Sequence, residues 1–145
     1  MRSDIEIRKP ETKQEFEQYY NLRWQILRQP WSQPKGSEQD EIDKNSTHFM
    51  AIIGNRIIGC GRGHFNSDTQ AQIRYMAVDE SFQGQGIGLR ILKTLEDYLT
   101  GNGAKEIILK AREKAVPFYE KQGYEIFEEG KFLFGEIKHY WMRKK

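Results

Sequence analysis

The sequence predicts one α/β domain built on a mixed, mostly antiparallel sheet, and three observations carry that reading. Two strand-like runs, 49–53 and 56–61, flank Gly54-Asn55, a two-residue loop with glycine first that fits a type II′ hairpin. A further strand, 71–78, follows the turn Asn66-Ser67-Asp68, so the sheet grows antiparallel. An amphipathic helix over 88–100 then separates that strand from a short apolar run at 106–110. Strand, helix, strand implies a parallel, right-handed crossover.

The remaining elements follow in order. Ile5 and Ile7 alternate with charged residues, as in a short half-buried strand. Thr12-Lys13-Gln14-Glu15 reads as a capping box. The helix behind it sets Phe16, Tyr19, Tyr20, Arg23, Ile26 and Leu27 at spacings of three and four, and Pro30 stops it. Residues 29–44 are polar and irregular, with Ser37 placed to cap a short acidic helix through Asp43. The second hairpin strand extends to Phe65. In the central helix Ile91, Leu92, Leu95, Tyr98 and Leu99 form one stripe, closed by Gly101-Asn102-Gly103. Residues 114–122 form a short helix with Pro117 in its first turn and Gly123 just past its end. Two aromatic-rich strands, 124–127 and 132–142, make a final hairpin. No repeat or linker divides the chain, so residues 1–145 read as a single domain.

Composition narrows the function. Charged residues make up 30%, yet the signs nearly balance at +2, which suits an anionic cofactor and argues against nucleic acid as a partner. Cys60 is the single cysteine, so no intrachain disulfide or cysteine metal cluster forms. Its apolar surroundings suit a small buried hydrophobe. No run reaches membrane-span length, and Met1-Arg2-Ser3-Asp4 lacks a signal-peptide core. A cytoplasmic protein without a membrane partner is expected. His48, His64 and His139 are scattered without metal-ligand spacing, so no metal is expected, and no Gly-x-Ser-x-Gly elbow points to a hydrolase.

The chemistry concentrates at Gln83-Gly84-Gln85-Gly86-Ile87-Gly88, between a strand and a helix. A glycine-rich turn opening a helix presents free N–H groups and the positive end of the helix dipole to an anion. Glycines let the chain adopt positive φ and let a phosphate approach closely. Leu89-Arg90 follows where a P-loop needs Lys-Ser/Thr. The glycine spacing and the position late in the chain do not suit a dinucleotide fold.

Read as Gln-x-x-Gly-x-Gly, residues Gln83, Gly86 and Gly88 resemble the pyrophosphate loop of the GNAT N-acetyltransferases. Ala115-Val116-Pro117-Phe118-Tyr119-Glu120-Lys121-Gln122-Gly123-Tyr124 resembles that family's second signature. The resemblance implies a sheet of six to seven strands flanked by about four helices, acetyl-coenzyme A as acyl donor, and direct attack by a primary amine in a ternary complex. The acceptor would be a small-molecule or peptide amine. Backbone N–H groups of Gln83, Gly84, Gln85, Gly86, Ile87 and Gly88 would hold the pyrophosphate. Met76, Ala77 and Val78 would lie along the pantetheine and offer a backbone N–H to the thioester oxygen. Tyr119 would protonate the leaving thiolate, and Arg112 and Phe118 complete the expected cofactor contacts. Arg112 stands where the family often has asparagine, and offers donors only.

These roles suit the reaction. The oxygen gains charge in the transition state, and a tyrosine hydroxyl is a credible proton source for a departing thiolate. Two other readings remain at this point: transfer of another acyl group such as succinyl, and a non-catalytic acyl-CoA sensor that keeps the cradle without needing Tyr119. The acceptor pocket is expected from residues 24–43 and the C-terminal hairpin, with Trp31 as a wall. Glu38, Asp40, Glu41 and Asp43 form either a solvated helix face or a lure for a cationic amine. Exposed sheet edges leave room for a homodimer.

Overall fold

A computed structural model describes residues 4–135 and 137–145. Residues 1–3, part of the N-terminal segment read above, and residue 136, within the expected last strand, lie outside the described residues. Seven strands are present: β1 (Ile5–Arg8), β2 (Thr47–Ile53), β3 (Arg56–Phe65), β4 (Gln70–Val78), β5 (Glu106–Arg112), β6 (Glu125–Glu129) and β7 (His139–Lys144). They form one sheet in the order β1-β2-β3-β4-β5-β7-β6, antiparallel except for the β4–β5 pair. Three α-helices flank it among the described residues: α1 (Lys13–Leu27), α2 (Ile87–Gly101) and α3 (Val116–Lys121), with short 3-10 turns between. The mixed α/β architecture and the mostly antiparallel sheet are those the sequence predicts.

Local chemistry accounts for the elements. The Thr12 hydroxyl accepts from the Glu15 N–H at 3.0 Å, and the Glu15 carboxylate in turn accepts from the Glu11 N–H and from Arg8. Gly54 sits at φ +59° while Asn55 does not adopt positive φ, as a type II′ turn requires. Gly123 ends α3 at φ +94°.

The packing of α2 depends on β3. Gly59, Gly61 and Gly63 present no side chain toward the helix, and Ile91, Leu95 and Leu99 fill the space. These three side chains are fully buried in the main core. A second, smaller core lies on the opposite face, where α1 packs Tyr19 and Leu22 onto Met50, Ile52, Cys60 and Ala77. Burial pushes the Cys60 thiol up to about 11, so it remains a protonated core residue.

Two expectations are corrected. No α-helix covers 37–43; that stretch is a series of turns ending in a 3-10 turn at Asp43–Asn45. Its carboxylates bond the backbone instead: Asp43 accepts from the Asp40 N–H at 2.7 Å, and Asp40 from the Ile42 N–H at 3.0 Å. Such bonds compete with helix formation. The last strand begins at His139 rather than Phe132, because Phe134 and Gly135 both take positive φ and break the extended run.

Candidate functional site

A β-bulge in β4 builds the site. Opposite β3, Cys60 pairs with Ala77 and Arg62 with Arg74, so Tyr75 and Met76 together face Gly61. Tyr75 adopts φ +59°, the left-handed conformation typical of a bulge residue but unusual for tyrosine. The extra residue shifts the alternation. Ala71 and Ile73 face α2, Arg74 and Tyr75 both face α1, and Met76 returns to the α2 side. Pairing of β4 with β5 stops at Ile73–Leu109, although β5 continues against β7 to Arg112–His139. The two parallel strands therefore part, and the edge of Met76, Ala77 and Val78 that faces β5 has no strand partner among the described residues.

A cavity of about 400 Å³ fills the gap. Tyr119 reaches it from α3, Met76 and Tyr75 from β4, Arg112 from β5, and His139 and Trp141 from β7. Tyr119 is otherwise enclosed by the rings of Phe118 and Tyr124, and its hydroxyl has no hydrogen-bond partner among the described residues. Burial pushes its pKa well above the ordinary tyrosine value, so the phenol keeps its proton.

The glycine turn lies at the C-terminal end of β4, as expected for an anion site in a strand–helix unit. Gly84 and Gly86 both sit at φ +80°, and the space beside Gly84 is open. No side chain caps α2, and its first backbone bond is from the Arg90 N–H to the Gly86 carbonyl at 3.1 Å. The N–H groups of Ile87, Gly88 and Leu89 precede that bond and stand ready for an anion. Gln83 closes the turn by donating to the Val78 carbonyl at 3.0 Å. Phe118 lies beside Gly88, whose hypothetical Cβ would come within 4.0 Å of its ring. These residues fit a pyrophosphate and its adjoining arm.

Arg112 lines the same cavity and also reaches the end of α1. Its Nη2 donates to the Leu27 carbonyl at 3.3 Å, and Arg28 donates to the same oxygen at 3.0 Å. The two guanidinium groups thus close the carbonyl end of α1, where cations are favoured.

Beneath α1, Glu38, Asp40 and Asp43 are turned inward, while Glu41 stays exposed. Arg23 and Arg62 are fully buried, and both donate to Asp43 Oδ1, at 2.9 and 3.1 Å. Arg62 and Arg74 hold Asp40 at 2.6 and 3.1 Å. Burial acts to raise the Asp43 carboxyl, but Arg23, the Asp40 N–H and Arg62 outweigh it and hold it below the usual range. Asp40 and Asp43 are counterions rather than a solvated helix face. Trp31 is absent from the cavity lining; Trp141 and Tyr75 supply the aromatic walls.

Sequence reasoning missed His139 as a cavity residue. Its Nδ1 donates to the Ile137 carbonyl at 3.0 Å, which leaves Nε2 as the lone-pair nitrogen of the neutral ring. Burial, then Lys110, Arg112 and Arg28, outweigh that carbonyl and lower its pKa. The bulge was missed too, although the apolar rhythm slips from Ala71 and Ile73 to Met76 and Val78.

Comparison with known proteins agrees with this geometry. Residues 16–124 match the acetyltransferase (GNAT) family. The uncharacterised N-acetyltransferase YjcF of Bacillus subtilis (strain 168) is 32% identical over 125 residues, covering 86% of this chain and 89% of that protein. An acyl-CoA N-acyltransferase from Pseudomonas aeruginosa superposes with a TM-score of 0.84 at 19% identity, over 98% of this chain and 99% of that one. A GNAT family acetyltransferase from Elizabethkingia anophelis, solved with acetyl-CoA bound, gives 0.81 at 21% identity over 99% of both chains. A family match across most of the chain joins the parted strands and the uncapped glycine turn in one assignment: the protein belongs to the GNAT acetyltransferase family, as an acyltransferase with acetyl-coenzyme A as its donor.

Proposed function

We propose that the protein transfers acetyl from acetyl-coenzyme A to a primary amine by direct attack in a ternary complex, with Tyr119 as general acid. The observation that carries this reading is the gap between β4 and β5, with the uncapped N-terminus of α2 beside one strand and Tyr119 lining the gap. Bound acetyl-coenzyme A would supply the thioester carbonyl. Backbone N–H groups from Gly84 to Gly88 would hold the pyrophosphate, that of Gln83 being already given to the Glu80 carbonyl at 3.4 Å. The free edge of Met76, Ala77 and Val78 would pair with pantetheine amides, and an N–H from that edge would stabilise the developing oxyanion. Tyr119, kept protonated by burial, would donate to the leaving sulfur. His139 Nε2 is suited to take the proton released by the attacking amine. A cytoplasmic setting belongs to the same reading, since the single buried thiol suits a reducing compartment.

Calorimetry and steady-state rates on Tyr119→Phe test the proposal. Acetyl-coenzyme A affinity is expected to hold while acetylation slows roughly 100-fold or more. An undiminished rate would remove Tyr119 from the chemistry. Failure of the wild-type protein to bind acetyl-coenzyme A would overturn the whole reading.

A further inference from the structure

The cavity has a charge pattern that acetyl transfer alone does not require. Arg28, Arg74, Lys110 and Arg112 line it, and no Asp or Glu does so among the described residues. Arg74 has a carboxylate partner, Asp40 at 3.1 Å. Arg28, Lys110 and Arg112 have none among the described residues. Arg28 is buried, and its Nε and Nη1 donate to the carbonyls of Ser37 and Leu27. Those bonds aim the guanidinium without neutralising it. On β5 and β7, Lys110 is paired with Trp141 and Arg112 with His139, so all four side chains share one face. The core lies on the other, where Leu109, Ala111 and Met142 point.

Of these three cations Arg28 is buried and Arg112 half-buried, and the Leu27 carbonyl they share offers only partial charge, so that pair is costly unless an anion meets it, while Lys110 stands exposed beside them. Burial lowers the pKa of each, with further lowering from neighbouring cations: Arg28 acts on Arg112, and Arg74 and Lys131 act on Lys110. The cofactor phosphates do not account for them. The glycine turn belongs to the N-terminus of α2, and none of residues 83–88 lines this cavity. Nor is the cavity suited to a polycation. The nearby carboxylates of Asp40 and Asp43 are already held by Arg23, Arg62 and Arg74.

We propose that the acceptor amine also carries an anionic group, a carboxylate or a phosphate, bound on the α1 side of the cavity by Arg28, Lys110 and Arg112. The proposal rests on the acetyl-transfer reading above and names its substrate class.

The test measures acetyl-coenzyme A-dependent thiol release over matched amines, with calorimetric binding of acetyl-coenzyme A in parallel. Alanine is compared with alaninamide, phosphoethanolamine with ethanolamine, and spermidine serves as the cationic control. The anionic member of at least one pair is expected to exceed its partner in kcat/KM by roughly 10- to 100-fold, with spermidine poorest. Which pair discriminates separates carboxylate from phosphate. Lys110→Gln, at a solvent-accessible position, should raise KM for the preferred anionic amine roughly tenfold and erode the discrimination. Equal or better use of neutral or cationic amines overturns the proposal, as does refusal of every anionic amine by protein that binds acetyl-coenzyme A. An unchanged KM in Lys110→Gln also overturns the assignment. Loss of acetyl-coenzyme A binding in the wild-type protein instead strikes the transferase reading itself.

Discussion

Gly61→Ala isolates the contact that seats α2 on β3. A Cβ built at Gly61 would lie 2.7 Å from Ile91 Cγ2, 2.7 Å from Met76 Sδ and 2.9 Å from Leu95 Cδ1. All three distances are shorter than real Cβ contacts allow. Ile91 and Leu95 are fully buried and have no free space to enter, so α2 or β4 must shift. Overpacking of this kind costs about 1–3 kcal/mol. For a chain of this size that lowers Tm by roughly 2–12 °C. Gly63→Ala should cost less, since its closest contact is 3.0 Å to Leu99 Cδ1. Gly101→Ala is the internal control: it lies in α2 at ordinary φ with nothing within 4 Å, and should gain up to about 1 kcal/mol. Urea denaturation of the three variants measures the order, and acetyl-coenzyme A titration reads the displacement of Met76. A Gly61→Ala protein as stable as wild type, with unaltered cofactor affinity, would refute the claim that the glycines of β3 set the seat of α2.

Two more predictions concern the charged network and pH. Asp43→Ala leaves Arg23 and Arg62 buried without their shared carboxylate and should destabilise by about 3–5 kcal/mol, whereas Asp43→Asn, which keeps an acceptor, should cost less; equal denaturation midpoints for the two would contradict this. Burial lowers the pKa of His48, His64 and His139, joined by Arg62 at His64 and by Lys110 and Arg112 at His139. The unfolded chain therefore binds more protons as pH falls through about 6.5, so the stability these groups contribute is full above that value and declines below it. Asp40 and Asp43, held below ordinary carboxylate values, keep their contribution until lower pH. Denaturation at about pH 5 should thus show lower stability than at about pH 7.5, and equal stability at the two would count against neutral buried histidines.

The legible parts of the chain were those whose physics is local. Gly54-Asn55 must turn, Thr12 must cap, and the glycines from Gly84 to Gly88 open a helix without a side-chain cap, so hairpin, helix start and glycine-rich helix entry could be read from adjacent residues. The loop beyond Pro30 could not. Its conformation is set by Arg23 and Arg62 reaching Asp40 and Asp43, partners about twenty residues distant in sequence. The cationic lining was equally hidden, since Arg28, Arg74, Lys110 and Arg112 come from the end of α1, from β4 and from β5. Tyr119 was legible through its motif, but the cavity it enters required the bulge. That bulge uses tyrosine where glycine would have advertised positive φ.

Tyr75 links the two halves of the site for an energetic reason. A left-handed conformation costs a non-glycine residue roughly 1–2 kcal/mol. Three cations compensate: the Tyr75 ring lies 4.1 Å from the Arg23 guanidinium, 4.5 Å from that of Arg74 and 4.9 Å from that of Arg62. Cation–π contacts contribute about 0.5–2 kcal/mol each, more where desolvated, as at Arg23 and Arg62. The cluster that fixes the loop from Gly36 to Asn45 therefore also holds the bulge in its strained state. The same bulge ends the β4–β5 pairing and returns Met76 to the α2 side. Loosening the ion pairs around Asp43 withdraws support from Tyr75, and relaxation of Tyr75 tends to restore regular pairing and close the gap. The charged cluster beneath α1 and the gap between β4 and β5 thus meet at one residue, Tyr75.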